Sequence, residues 1–139
     1  MWSIKILLLM YLFHIIDDFV LQPICLSKLK QQTYWKEECK KYNLDILKYG
    51  NDYITALVMH GLSWSIMIHI PLMFLSGIRD DFFLLLSVLL NTVIHSIIDN
   101  LKANELKINL DTDQTLHSCQ IVITWFVLNF INYYKLFYY

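Results

Sequence analysis

Long apolar runs, each interrupted by single polar residues at helical spacing, dominate the chain and predict four helices, at about 2–22, 53–78, 82–102 and 113–137. The first is stopped by Pro23, which lacks a backbone N–H and restricts the residue before it. The second carries no charged residue from Tyr53 to Ile78, enough to cross roughly 30 Å of hydrocarbon. Pro71 is expected to bend it, with neighbouring helices covering the freed carbonyl. A loop at about 23–52 joins the first two helices. A turn around Gly77, Arg79, Asp80 and Asp81 joins the next pair, and a short polar connection at about 103–112 precedes the last. Tyr133, Tyr134, Phe137, Tyr138 and Tyr139 form an aromatic end suited to the headgroup zone. The expected fold is all-α: one integral-membrane domain over 1–139, with four transmembrane helices in an up-down bundle.

The polar residues inside these runs form stripes. Ser87, Asn91, His95, Asp99 and Lys102 follow steps of four, four, four and three. Asp113, His117, Gln120 and Thr124 do the same on the last helix, and His14, Asp18 and Gln22 on the first. Residues four apart share one helix face, so His14/Asp18, His95/Asp99 and Asp113/His117 each pair an imidazole with a carboxylate. Ionisable groups in a bilayer cost on the order of 2.5–3.5 kcal/mol each and mark function by default. With the helices antiparallel, these three pairs and His60 fall toward the same, cytoplasmic, end, which predicts one polar His/Asp layer there. His69 lies half a turn away from His60 and toward the opposite face, where a structural role is expected.

Composition sharpens this picture. Apolar residues reach 57% and charged ones only 17%, which shifts the chain away from soluble domains and toward membrane proteins. A net charge of −1 excludes a bulk basic surface for nucleic acid. Placing the first and third loops in the cytoplasm puts eight of the eleven basic residues there, so both termini are expected on the non-cytoplasmic side of the membrane. The first loop mixes lysines with Ile24, Leu26, Leu29, Tyr34 and Trp35 and suits either the anionic inner leaflet or bulk solvent. Lys5 and the run from Ile6 to Phe13 lead into His14, Asp17 and Asp18 without a small-residue cleavage site, and so read as a retained span. Cys25, Cys39 and Cys119 form no CxxC pair and imply neither a disulfide framework nor a zinc knuckle. The expected partners are membrane lipids, with a second copy or another membrane protein left open.

Imidazoles and carboxylates at one level suit Zn²⁺ first, with Mn²⁺ or Fe²⁺ as alternatives. The candidate ligands are His14, Asp18, His95, Asp99, Asp113 and His117, with Asp17 able to replace Asp18. They are more than one tetrahedral ion needs, so either two ions bind or some aspartates orient imidazoles. His60 is a candidate general base, and Lys102 a candidate holder of a phosphate or oxyanion.

The same motifs, His14-x3-Asp18-Phe19-x2-Gln22, a histidine in the second span, His95-x3-Asp99-x2-Lys102 and Asp113-Gln114-x2-His117, resemble a family of small bacterial and phage integral-membrane proteins. That family is catalogued as domain of unknown function 3307. The resemblance covers nearly the whole chain, which departs from it in having Asp17 where a small residue is usual and in a longer first loop. It implies the membrane fold and the polar site and leaves the reaction open. More loosely, the chain is similar to membrane proteins labelled metal-dependent hydrolases.

The leading expectation is a metal-dependent hydrolase acting on a lipid or lipid-linked substrate at the cytoplasmic leaflet. The alternatives are a proton or metal-ion conduit, a bis-histidine haem protein, disfavoured by the matched aspartates, and a non-enzymatic membrane interaction protein.

Overall fold

A computed structural model describes residues 3–22, 24–75 and 81–138, without the side chains of Cys25 and of 135–138. Pro23, the turn residues Gly77, Arg79 and Asp80, the helix limits expected at Trp2 and Ile78, and the side chains of Phe137, Tyr138 and Tyr139 lie outside that description.

Every element among the described residues is helical: α1 (Ile4–Ile15), continued by a π-helical segment (Ile16–Leu21), α2 (Ile24–Leu29), α3 (Gln32–Tyr42), α4 (Ile46–Tyr49), α5 (Asp52–Leu75), α6 (Asp81–Ala103) and α7 (Leu110–Tyr138). The four long helices match the four apolar runs. Two stretches, 46–75 and 81–103, are long and apolar enough to cross a membrane. The flanking helices carry more charge: Lys5, Asp17 and Asp18 on the first, and Asp111 and Asp113 on the last.

Two local features depart from the sequence expectation. The first helix does not stay α-helical but widens into i→i+5 turns around Asp17 and Asp18, and π turns of this kind recur at functional sites. The segment expected as a loop is instead mostly helical. Asp45 caps α4 by accepting from the Leu47 N–H at 2.9 Å, and Asn43, at φ 52°, ends α3 in the left-handed conformation that asparagine tolerates. Lysines and glutamates of α3 face outward while Cys39 is buried.

Packing divides the bundle into two zones. Ile6, Met10, Trp64, Ile68, Leu72, Ile121 and Leu128 form the apolar core between α1, α5 and α7. The stripes form the second, polar, zone: Asn91, His95, Ser96 and Asp99 of α6 are buried while Leu85, Leu89, Val93 and Ile97 point outward. This is inside-out relative to a water-soluble bundle and fits a lipid-facing exterior. Small residues bring α5 and α6 together. A Cβ on Gly61 would lie 2.5 Å from Ser96 Oγ and 2.8 Å from the Thr92 carbonyl, and Ser65 Oγ donates to the Val88 carbonyl at 2.8 Å.

Candidate metal centre

The stripes converge. Side chains from the first helix, α5, α6 and α7 meet in one buried cluster, and α5 contributes His60 just before the close approach at Gly61. Two groups of donor atoms, each group within 4.8 Å, can hold a metal ion: Asp18, His60 and His95, and His95, Asp99 and His117. His95 belongs to both.

The separations leave room for an ion between the side chains. His60 Nε2 stands 3.4 Å from Asp18 Oδ1 and 3.7 Å from Asp99 Oδ2; His117 Nε2 stands 3.5 Å from Asp99 Oδ1 and 3.4 Å from Asp113 Oδ1. His95 Nε2 is 3.8 Å from Asp99 Oδ1. These distances exceed good hydrogen bonds. A tetrahedron with arms of about 2.0–2.1 Å sets its donor atoms roughly 3.3–3.4 Å apart.

The imidazoles of His95 and His117 are fully buried, and neither ring nitrogen of either one has a hydrogen-bond partner among the described residues. Asp18 Oδ1, Asp113 Oδ1 and Asp17 Oδ2 share that condition. Buried polar atoms are almost always satisfied, so a convergent set of unsatisfied donors and acceptors marks a binding site. Packing fixes the rings: His95 stacks between Trp64 (centroids 4.2 Å, 21°) and His117 (4.1 Å, 26°).

The charge count points the same way. Asp17, Asp18, Asp99 and Asp113 have side chains no more than 9% exposed. Two cations answer them: Lys30 Nζ donates to Asp99 Oδ2 at 2.6 Å and Lys102 Nζ to Asp113 Oδ2 at 2.6 Å. Among the described residues four carboxylates face two ammonium groups, an excess of acid that a divalent cation or protonated histidines would offset.

The expected site residues therefore take different places. Asp18, His95, Asp99 and His117 fall in the ligand groups, and His60, expected as a base, joins them. His14 instead has both nitrogens engaged: Trp64 Nε1 donates to Nδ1 at 2.7 Å, and Nε2 lies 3.1 Å from Gln114 Oε1. Accepting at Nδ1 puts the ring proton on Nε2, so His14 donates to Gln114. Gln114 in turn donates to Asp113 Oδ2 at 3.1 Å and reaches Asp18 Oδ2 at 3.4 Å, which ties the first helix to α7. Asp113 is held by Lys102 at the edge of the cluster, with Oδ1 turned toward His117. Asp17 is buried, accepts from Ser63 Oγ at 2.8 Å and stands 3.7 Å from His60 Nδ1.

Lys30, Trp64 and Gln114 were not among the expected site residues. Gln114 sits beside Asp113 in a recognisable motif, whereas Lys30 is one of six lysines in the first connecting segment and Trp64 looks like ordinary core. Lys30 is delivered by a tertiary clamp: Asn104 accepts from the Gln32 N–H at 2.7 Å and donates to the Lys30 carbonyl at 3.0 Å.

Beyond the cluster the stripe continues as a hydrogen-bonded chain. Gln120 Nε2 donates to Asn91 Oδ1 (2.8 Å), Asn91 Nδ2 to Thr124 Oγ1 (3.0 Å) and to Ser87 Oγ (3.3 Å), and Ser87 Oγ meets His69 Nε2 (2.8 Å). His69 Nδ1 lies 2.7 Å from the Ser65 carbonyl, so both its nitrogens are engaged. On the other side, a cavity of about 470 Å³ opens against the cluster, with Asp18, Asp99, Lys30 and Lys102 on its wall.

Comparison with known proteins finds no matching family model, no matching curated sequence and no matching solved structure.

Proposed function

We propose that this chain is a four-span membrane protein whose buried cluster holds one or two divalent ions, zinc first, and that it hydrolyses a lipid or lipid-linked substrate at the cytoplasmic leaflet of a bacterial inner membrane. One observation carries the reading: the ring nitrogens of His95 and His117, which make no hydrogen bond among the described residues, sit among carboxylates that outnumber the neighbouring lysines by two.

Asp18, His60, His95, Asp99 and His117 would hold the ion, and Asp99 turns one oxygen toward His95 and His117 and the other toward His60. A divalent ion held there would supply the Lewis acidity that lets a water ionise near neutral pH. Asp113 Oδ1, which makes no hydrogen bond among the described residues and faces His117, is a carboxylate oxygen that would accept a proton. His14, fixed by Trp64 and Gln114, orients the acids beside it.

Turnover tests the hydrolase. Detergent-purified protein loaded with Zn²⁺ should release water-soluble product from a radiolabelled bacterial lipid extract. Chelation should stop release, added Zn²⁺ should restore it, and Asp99→Ala should show none. Release that ignores the chelator, or no release from the loaded wild type, contradicts the reading.

The chain from Gln120 through Asn91, Thr124 and Ser87 to His69 favours a second reading, a proton or metal-ion conduit. Liposomes would then show flux that Asn91→Leu abolishes, and a hydrolase would show none.

A further inference from the structure

We propose that the cavity beside the cluster is a subsite for the phosphate group of an amphiphilic substrate, with Lys30 and Lys102 as its two cationic contacts. This rests on the metal reading above and adds to it the substrate's chemical class and position. The cavity, about 470 Å³, is large enough for a headgroup and is walled by Asp18 and Asp99, so whatever fills it touches the ligand set directly.

Its chemistry is graded. Asp99, Asp18 and the two ammonium groups lie at the inner end, while Phe19, Leu106 and Leu110 stand at its edge with most or much of their surface exposed. A charged group inward and an alkyl portion outward fit that gradient. Leu106 adopts φ 53°, a left-handed conformation that a leucine rarely takes, which places a strained residue at this edge.

Each ammonium has three N–H donors. Lys30 Nζ spends one on Asp99 and, with the Gln22 amide in its better orientation, one on Gln22 Oε1 at 2.9 Å. Lys102 Nζ spends one on Asp113. The remaining donors are available to an anion. With two divalent ions, four carboxylates and two lysines carry +2, which matches a phosphate monoester dianion; with one they are neutral. Backbone clamping by Asn104 holds Lys30 in place.

Mn²⁺ provides the test, because a paramagnetic ion broadens the ³¹P resonance of a phosphate close to it. Protein is reconstituted with Mn²⁺ in phosphatidylcholine vesicles containing phosphatidic acid, and separately mixed with glycerol 3-phosphate in solution. Selective broadening of phosphatidic acid over phosphatidylcholine supports the subsite with a lipid as the source, and stronger broadening of glycerol 3-phosphate supports it with a soluble ester. Lys30→Gln and the more exposed Lys102→Gln should each weaken the phosphate effect about tenfold, and Lys30→Arg should retain most of it, while Mn²⁺ electron resonance shows the ion still bound. Bound Mn²⁺ with neither phosphate broadened overturns the subsite alone. Failure of wild-type protein to bind either Zn²⁺ or Mn²⁺ overturns the metal centre itself.

Discussion

His95 shows how packing can leave a single residue open to an ion. Its ring is clamped between Trp64 and His117, and neither nitrogen is engaged in a hydrogen bond among the described residues. Trp64 serves twice, because its N–H also fixes His14 in the tautomer that donates to Gln114. Replacing Trp64 by Phe keeps much of the stacking surface and removes that donor. The expected outcome is a loss of about 10–100-fold in metal affinity with little change in helicity, measured by competition with a chromophoric chelator. Unchanged affinity would show that the orientation of His14 does not matter. At this scale much was legible in the sequence: the spacing of four in His95/Asp99 and Asp113/His117 marks a shared helix face. Lys30 and Trp64 were not legible, because nothing local distinguishes a buried lysine from five solvated neighbours, or a tryptophan that orients a histidine from one that merely packs.

At the scale of elements, the centre depends on how closely α5 and α6 approach. Gly61 follows His60, and its missing side chain lets the Ser96 hydroxyl and the Thr92 carbonyl come within reach. Gly61→Ala forces the helices apart at the level of the ligands. It should cost about 1–3 kcal/mol of stability, read as a lower thermal midpoint in detergent, and should loosen metal binding as well. A variant with wild-type stability and affinity would mean that the interface yields without disturbing the site. The helices themselves were readable from apolar length and from the polar stripes. The π segment was not, because Asp17 and Asp18 are compatible with an α-helix in isolation and the wider turn follows from what both acids meet: Ser63 and His60 for one, His60 and Gln114 for the other. The helical content of the 24–49 segment was hidden by its charge, since lysine and glutamate fit a solvated helix as well as a loop.

The whole molecule buries its polar stripes and turns leucine, isoleucine and valine outward, the arrangement expected of a bundle that carries a hydrophilic site through lipid. Its orientation has a direct check. In intact cells a membrane-impermeant maleimide should fail to label a cysteine placed at Glu37, and should label it in inverted vesicles; the reverse pattern would turn the bundle over. The apolar runs made the two helices long and apolar enough to cross a membrane readable. The meeting of histidines and aspartates from four helices was only implied by their common depth, because depth gives no rotation about the helix axis. The central claim, that these side chains hold a divalent ion, is tested most directly by elemental analysis of detergent-purified protein beside the His95→Ala, Asp99→Ala double variant. The account predicts at least one tightly held transition-metal ion per wild-type chain and almost none in a variant that remains helical. A metal-free wild type, or equal metal in both proteins, would contradict it.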